Sequence, residues 1–166
     1  NGDFINGVEL NEGSFIVGGA TDETLAVKLT DAAGGTGTLV KTGTGTLFLN
    51  STNASYQGAV RIEQGLVKVG HTDSLGDKTA TTGVVTILPG ATLDVNDHQF
   101  GARRVVVSGN GSTGQGAIID SYVSGGAVKR VKPLVFPLSF ICRIDAAPGR
   151  LRVGSASPSA NGSSRF

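Results

Sequence analysis

The chain has 166 residues, a length that suits one domain, with 26 glycines, only 16% charged side chains, no Met, no Trp and a single cysteine, Cys142. One cysteine excludes an internal disulfide framework and a cysteine-type metal cluster, and its simplest reading is an inert thiol. The net charge of +1 joins two unlike parts: residues 1–123 carry twelve acidic and seven basic side chains, net −5, and residues 124–166 carry one acidic and seven basic, net +6.

No apolar run is long enough to cross a bilayer as a helix. Residues 1–19 lack the basic start and compact apolar core of a signal peptide. The chain does not begin with Met and reads as a fragment or a processed piece.

Residues 14–17 form a short apolar run closed by Gly18 and Gly19. Leu25, Val27 and Leu29 alternate with Ala26 and Lys28, which predicts one half-buried strand. Further strands are predicted over 38–41, 46–49, 59–62, 66–69, 84–88, 91–95, 104–107 and 117–119. Nearly every gap holds Gly, Asn or Asp, residues that accept left-handed backbone angles or bond their own turn. Apolar spacing of 3.6 residues with a capping residue is missing, so no helix is predicted.

Strands this short make weak isolated sheets. They suit a coil that turns a corner every few residues and stacks each rung on the last. The stretch GTGTLVKTGTGTLFLN, residues 35–50, writes GTGTL twice because two consecutive faces of such a coil meet the same demand. Leu39, Leu47, Leu49, Val67 and Val69 are expected to point inward, with a corner between Lys41 and Leu47. Five or six rungs at ~4.8 Å would stand roughly 25–30 Å tall. A β-sandwich remains the alternative, although its strands are longer and its turns more evenly spaced.

Residues 37–76 resemble the autotransporter-associated β-strand repeat, found in passenger domains of bacterial surface proteins. The likeness lies in GTLVKTGTGTLFL (37–49), Asn53, Tyr56 and Gly58, VRIEQGLVKVG (60–70) and Leu75-Gly76. TGVVTILPGATLDVND (82–97) and VVVSGNGSTGQGAI (105–118) are similar to what often follows that repeat. Two departures are Leu66, where Thr is usual, and Phe48, where a small polar residue is common. The resemblance implies an all-β, right-handed parallel β-helix at the cell surface, a stalk or adhesive passenger carried by an outer-membrane β-barrel that this chain does not contain.

Residues 124–166 do not match. KRVKPLVFPLSFICRI (129–144) is apolar, basic and interrupted by proline. It reads as a cap or linker, as a frame error, or as a membrane- or glycan-contacting arm.

Parallel β-helices also carry enzymes, and glycoside hydrolysis needs two carboxylates held about 5–10 Å apart. The candidates are Asp94 and Asp97 in DVNDH, with His98 beside them. Each also reads as ordinary turn chemistry. Asp22-Glu23, His71 with Asp73, and Arg103-Arg104 read as solvated surface groups, although the arginines could pair with an acidic sugar. No residue is therefore assigned as catalytic, cofactor-binding or metal-binding. GTG at 35–37 and 43–45 does not continue into a phosphate loop. Basic residues without interleaved aromatics argue against a nucleic-acid partner. The Asn-x-Ser/Thr triplets at Asn50, Asn53, Asn110 and Asn161 read as turn chemistry. The expectation is a non-catalytic shaft over 1–123 whose outward Thr, Asn and Tyr56 side chains meet a glycan or host-surface ligand. The alternatives are a polysaccharide lyase or hydrolase built on Asp94, Asp97 and His98, and a carbohydrate-binding module.

Overall fold

The computed structural model describes residues 7–33, 35–99, 101–124 and 127–128. The predictions for Cys142, the 129–144 segment and Asn161 lie outside them. Among the described residues all regular structure is strand and none is helix. The strands are β1 (Gly7–Leu10), β2 (Ser14–Gly18), β3 (Glu23–Leu25), β4 (Lys28–Asp31), β5 (Thr38–Thr42), β6 (Thr46–Leu49) and β7 (Ala59–Ile62). They continue with β8 (Gly65–Val69), β9 (Val85–Ile87), β10 (Ala91–Asp94), β11 (Val105–Val107), β12 (Ile118–Ile119), β13 (Val123–Ser124) and β14 (Ala127–Val128).

Two five-stranded sheets stack in step, β2-β5-β7-β9-β11 and β3-β6-β8-β10-β12, and every pairing within them is parallel. Chain neighbours such as β5 and β6 lie in different sheets, so each pass around the coil adds one strand to each. That is a parallel β-solenoid. β1 pairs parallel with β4 and begins a third face, which later rungs complete with turns rather than strands. β13 and β14 depart from the pattern and pair antiparallel with each other.

Period-2 alternation decides which side chains enter the coil. Leu47, Val67, Leu93 and Ile118 are register partners on one inner face, and Phe15, Leu39, Val60, Val85 and Val105 on the other. Leu39, Leu47, Leu49, Val67 and Val69 are all buried, as the sequence predicts. Fully burying one such side chain is worth about 1.5–3 kcal/mol, and the rungs share one continuous core.

The repeated GTGTL phrase spans a corner. β5 and β6 carry its two Leu strands on adjacent faces, and 43–45 turn between them. Gly43 has φ +71°, and a Cβ there would lie 2.4 Å from the Gly19 carbonyl of the rung below. Phe48 faces outward and is half-buried, between Thr24 and Lys68 in register.

One predicted strand is not continuous. Residues 25–29 alternate in hydropathy, yet β3 ends at Leu25 and β4 begins at Lys28. The chain turns a corner at Ala26 and Val27, so Leu25 and Leu29 belong to different faces. Alternation survives a corner when both flanking faces place their apolar residues inside.

Candidate functional site

The buried side chains are not all apolar. Asn53, Lys41, Ser74, Thr92, Asp94 and Arg103 are buried polar or charged side chains, and a polar group without a partner there is costly. Their partners lie mostly on neighbouring rungs.

Lys41 shares an inner ladder with Val17 and Ile62. Its stem lies along the core and its Nζ donates to the carbonyls of Thr42 at 2.5 Å, Gly43 at 2.8 Å and Gln64 at 3.3 Å. Those carbonyls lie at the end of β5 and on the corners that follow β5 and β7. Burial lowers the Lys41 pKa, and Glu23 and Asp22 oppose that shift.

The third face is held by Asn53 and Tyr56. Asn53 Oδ1 accepts the Leu29 N–H at 2.8 Å from one rung, and its Nδ2 donates to the Ser74 carbonyl at 2.6 Å on the next. Ser51 Oγ donates to the Val27 carbonyl, and Ser74 Oγ to those of Leu49 and Ser51. The Tyr56 N–H donates to the Asn53 carbonyl at 2.8 Å, closing the turn expected of the repeat. Tyr56 itself is wholly buried. Its oxygen accepts the Leu39 N–H at 3.0 Å, and its proton is shared between the Ala59 carbonyl at 2.6 Å and the Gly37 carbonyl at 3.0 Å. Burial pushes its pKa up to about 12. Tyr56 is therefore not an outward ligand contact, as the sequence suggested, but an internal pin.

Arg103 corrects another expectation. It is buried, whereas Arg104 is exposed. Its guanidinium donates to the carbonyls of Tyr56 and Gly58, positions 47 and 45 residues back and two rungs away. It passes the rung between through gaps at Gly76 and Gly83, where an added Cβ would lie 2.5 Å from its terminal nitrogens. Arg103 Nε has no partner. Burial lowers its pKa, against the pull of Tyr56, Asp31 and Asp77. No acidic sugar reaches a side chain so placed.

The acid candidates are scattered among different tasks. Asp94 ends β10, is 2% exposed, and is engaged by Lys68, Ser121 and Asn96. Asp97 is exposed on the following corner, where Asn96 and Asp97 take φ of 46° and 63°, and its N–H donates to Asp120 Oδ1 at 3.0 Å. His98 lies beside His71 of the preceding rung, with ring centroids 6.5 Å apart and planes 18° from parallel. The Asp73 N–H donates to His71 Nδ1 at 3.3 Å. Asp22 and Glu23 are exposed, and Asp22 Oδ1 accepts the Thr46 N–H at 2.7 Å, capping a corner. Among the described residues no three His, Cys, Asp or Glu side chains gather as metal ligands.

Residues 39–69 match the passenger-associated-transport-repeat family. The match bears out the autotransporter-associated repeat read from the sequence. It runs from within β5 to the end of β8, two successive strands of each sheet with Asn53 and Tyr56 between them. No curated protein and no solved structure matches the chain. The passenger repeat and the solenoid together fit a segment of an autotransporter passenger, which is a surface or secreted protein. Lys41, Asn53 and Tyr56 all lie inside the repeat, and the polar end of each bonds backbone groups, at least one of them on another rung. The roles of Asn53 and Tyr56 escaped the sequence reading because partners such as the Leu29 and Leu39 N–H groups lie 24 and 17 residues away. The one local hint is a Lys written just before a Gly-x-Gly corner.

Proposed function

We propose that the chain is a non-catalytic, adhesive shaft segment of an autotransporter-type passenger. In this reading residues 1–123 form the shaft and 124–166 a separate cap or linker. An outer-membrane β-barrel elsewhere in the parent protein carries it to the cell surface. The observation that supports this most is the use made of the buried polar groups. Lys41, Asn53, Tyr56 and Arg103 bond backbone carbonyls and N–H groups of stacked rungs, which stiffens a shaft and leaves them unfit to take up substrate. Contact with a glycan or host surface would fall to outward side chains such as Ile16, which is 64% exposed, Arg61 and Phe48.

The test is surface display of the parent protein with an epitope inserted at the exposed 81–82 turn. Labelling of intact cells, with binding to host cells or glycans reduced by Ile16→Asp and Arg61→Glu, is the expected result. An epitope seen only after lysis, or polysaccharide cleavage that Asp94→Asn or Asp97→Asn abolishes, would overturn it.

A further inference from the structure

Lys68 and Asp94 are register partners on the parallel strands β8 and β10, side by side on the outer face of two successive rungs. Lys68 Nζ lies 3.5 Å from Asp94 Oδ2, and their side chains are 29% and 3% exposed. Ser121, from the rung beyond, joins them: its Oγ accepts from Lys68 Nζ at 3.0 Å and donates to Asp94 Oδ2. The other carboxyl oxygen, Oδ1, accepts two backbone N–H groups, Ser121 at 3.0 Å and Asn96 at 3.1 Å. An ordinary surface ion pair needs none of this arrangement.

We propose that Lys68 and Asp94 condense to an amide, a covalent rung-to-rung cross-link. The hydroxyl of Ser121 is placed to relay a proton. It takes one from the Lys68 ammonium and passes its own to Oδ2, leaving a neutral amine beside a neutral carboxyl. The Nζ lone pair then adds to Cγ, and the π electrons move to Oδ1, where the two N–H groups form a hole for the oxyanion. Collapse breaks the Cγ–Oδ2 bond. Oδ2 leaves as water with the proton already delivered and a second from Nζ returned through Ser121. One N–C bond forms, one C–O bond breaks, one water departs, and no oxidant or reductant enters. Fixed register supplies the proximity that makes amine and carboxyl an effectively unimolecular pair. Phe48 is the register partner of Lys68 on its other side, on the adjoining rung.

The experiment is intact-mass measurement of the folded chain after incubation at neutral and mildly alkaline pH, followed by digestion and tandem mass spectrometry. The expected result is a mass lower by one water and a branched peptide joining Lys68 to Asp94. In Lys68→Arg the cation stays but its nitrogen cannot condense, and the full mass should return. In Ser121→Ala the cross-link should form roughly a hundredfold or more slowly, the loss of a positioned acid–base group. Circular dichroism checks the fold of each variant. A wild-type chain that keeps its full mass overturns the proposal. So does a water loss that persists in Lys68→Arg, which marks a succinimide at another residue, and so does an undiminished rate in Ser121→Ala. None of these outcomes bears on the shaft reading, which surface display tests separately.

Discussion

Replacing Asn53 with Leu keeps the branching and heavy-atom count of the side chain and removes its hydrogen bonds. The site is fully buried, so water does not take its place. Two backbone groups lose their partners, the Leu29 N–H and the Ser74 carbonyl, on the rungs either side. Each buried group left unsatisfied costs about 1–3 kcal/mol, so the change should cost roughly 2–6 kcal/mol. Leu adds apolar contact to a core that already holds Leu29 and Leu75, which offsets at most about 1–2 kcal/mol. Against a typical stability of 5–15 kcal/mol the net loss is large. Urea unfolding followed by far-UV circular dichroism measures it, with the midpoint falling at constant slope. A net loss below about 0.5 kcal/mol would mean that strand pairing alone holds the third face.

Alkaline pH should weaken the fold through Tyr56. Its folded pKa of about 12 lies above the ordinary 10.0, so the folded chain keeps a proton that the unfolded chain releases. The Tyr56 contribution is complete below pH 10 and is lost as pH rises to about 12, on the order of 3 kcal/mol at 1.36 kcal/mol per pH unit. Lys41 works the other way, since its folded pKa lies below 10.5 and stability rises as it sheds its proton. Tyr56→Phe should therefore be less stable than wild type at neutral pH and lose less across pH 10–12; parallel curves for the two proteins would exclude the assignment. Arg103→Ala removes the donor from two buried carbonyls and opens a cavity beside Gly76 and Gly83, for a loss of roughly 3–5 kcal/mol by thermal or urea unfolding. A change under 1 kcal/mol would show that the guanidinium does not bridge rungs.

The two sheets were legible in the sequence because their code is local. TLFL and GLVKV alternate within four or five residues, and glycine stands at Gly43, Gly45 and Gly65 beside them, so Leu47, Leu49, Val67 and Val69 could be placed inside without knowing their neighbours. The third face was not legible, since it has no strand period after β4. It depends on single polar side chains with partners 17 to 47 residues away. Tyr56 and Arg103 were misplaced for that reason: a Tyr in a turn and an Arg beside another Arg look like surface groups. Residues 25–29 show the opposite failure, a clean local period that conceals a corner. The Asp94 cluster was half legible. DVNDH marks the carboxylate, but nothing local brings Lys68 and Ser121 to it.

The polar third face also answers a problem that apolar ladders cannot. Leu, Val and Ile on a β-solenoid are nearly interchangeable, and sliding one rung by two residues returns each inner position to an inner position. Glycine corners limit such slips without forbidding them, since the corners themselves differ in length from rung to rung. Asn53, Tyr56 and Arg103 break the degeneracy because each satisfies named backbone groups only in one register. The double variant Asn53→Leu with Tyr56→Phe should thus keep most of its strand signal and lose its uniqueness. Its far-UV spectrum should change little, while its unfolding transition broadens and a dye for exposed apolar surface binds more. A transition as sharp as wild type, merely shifted, would mean that apolar packing sets the register and that the polar face contributes energy alone.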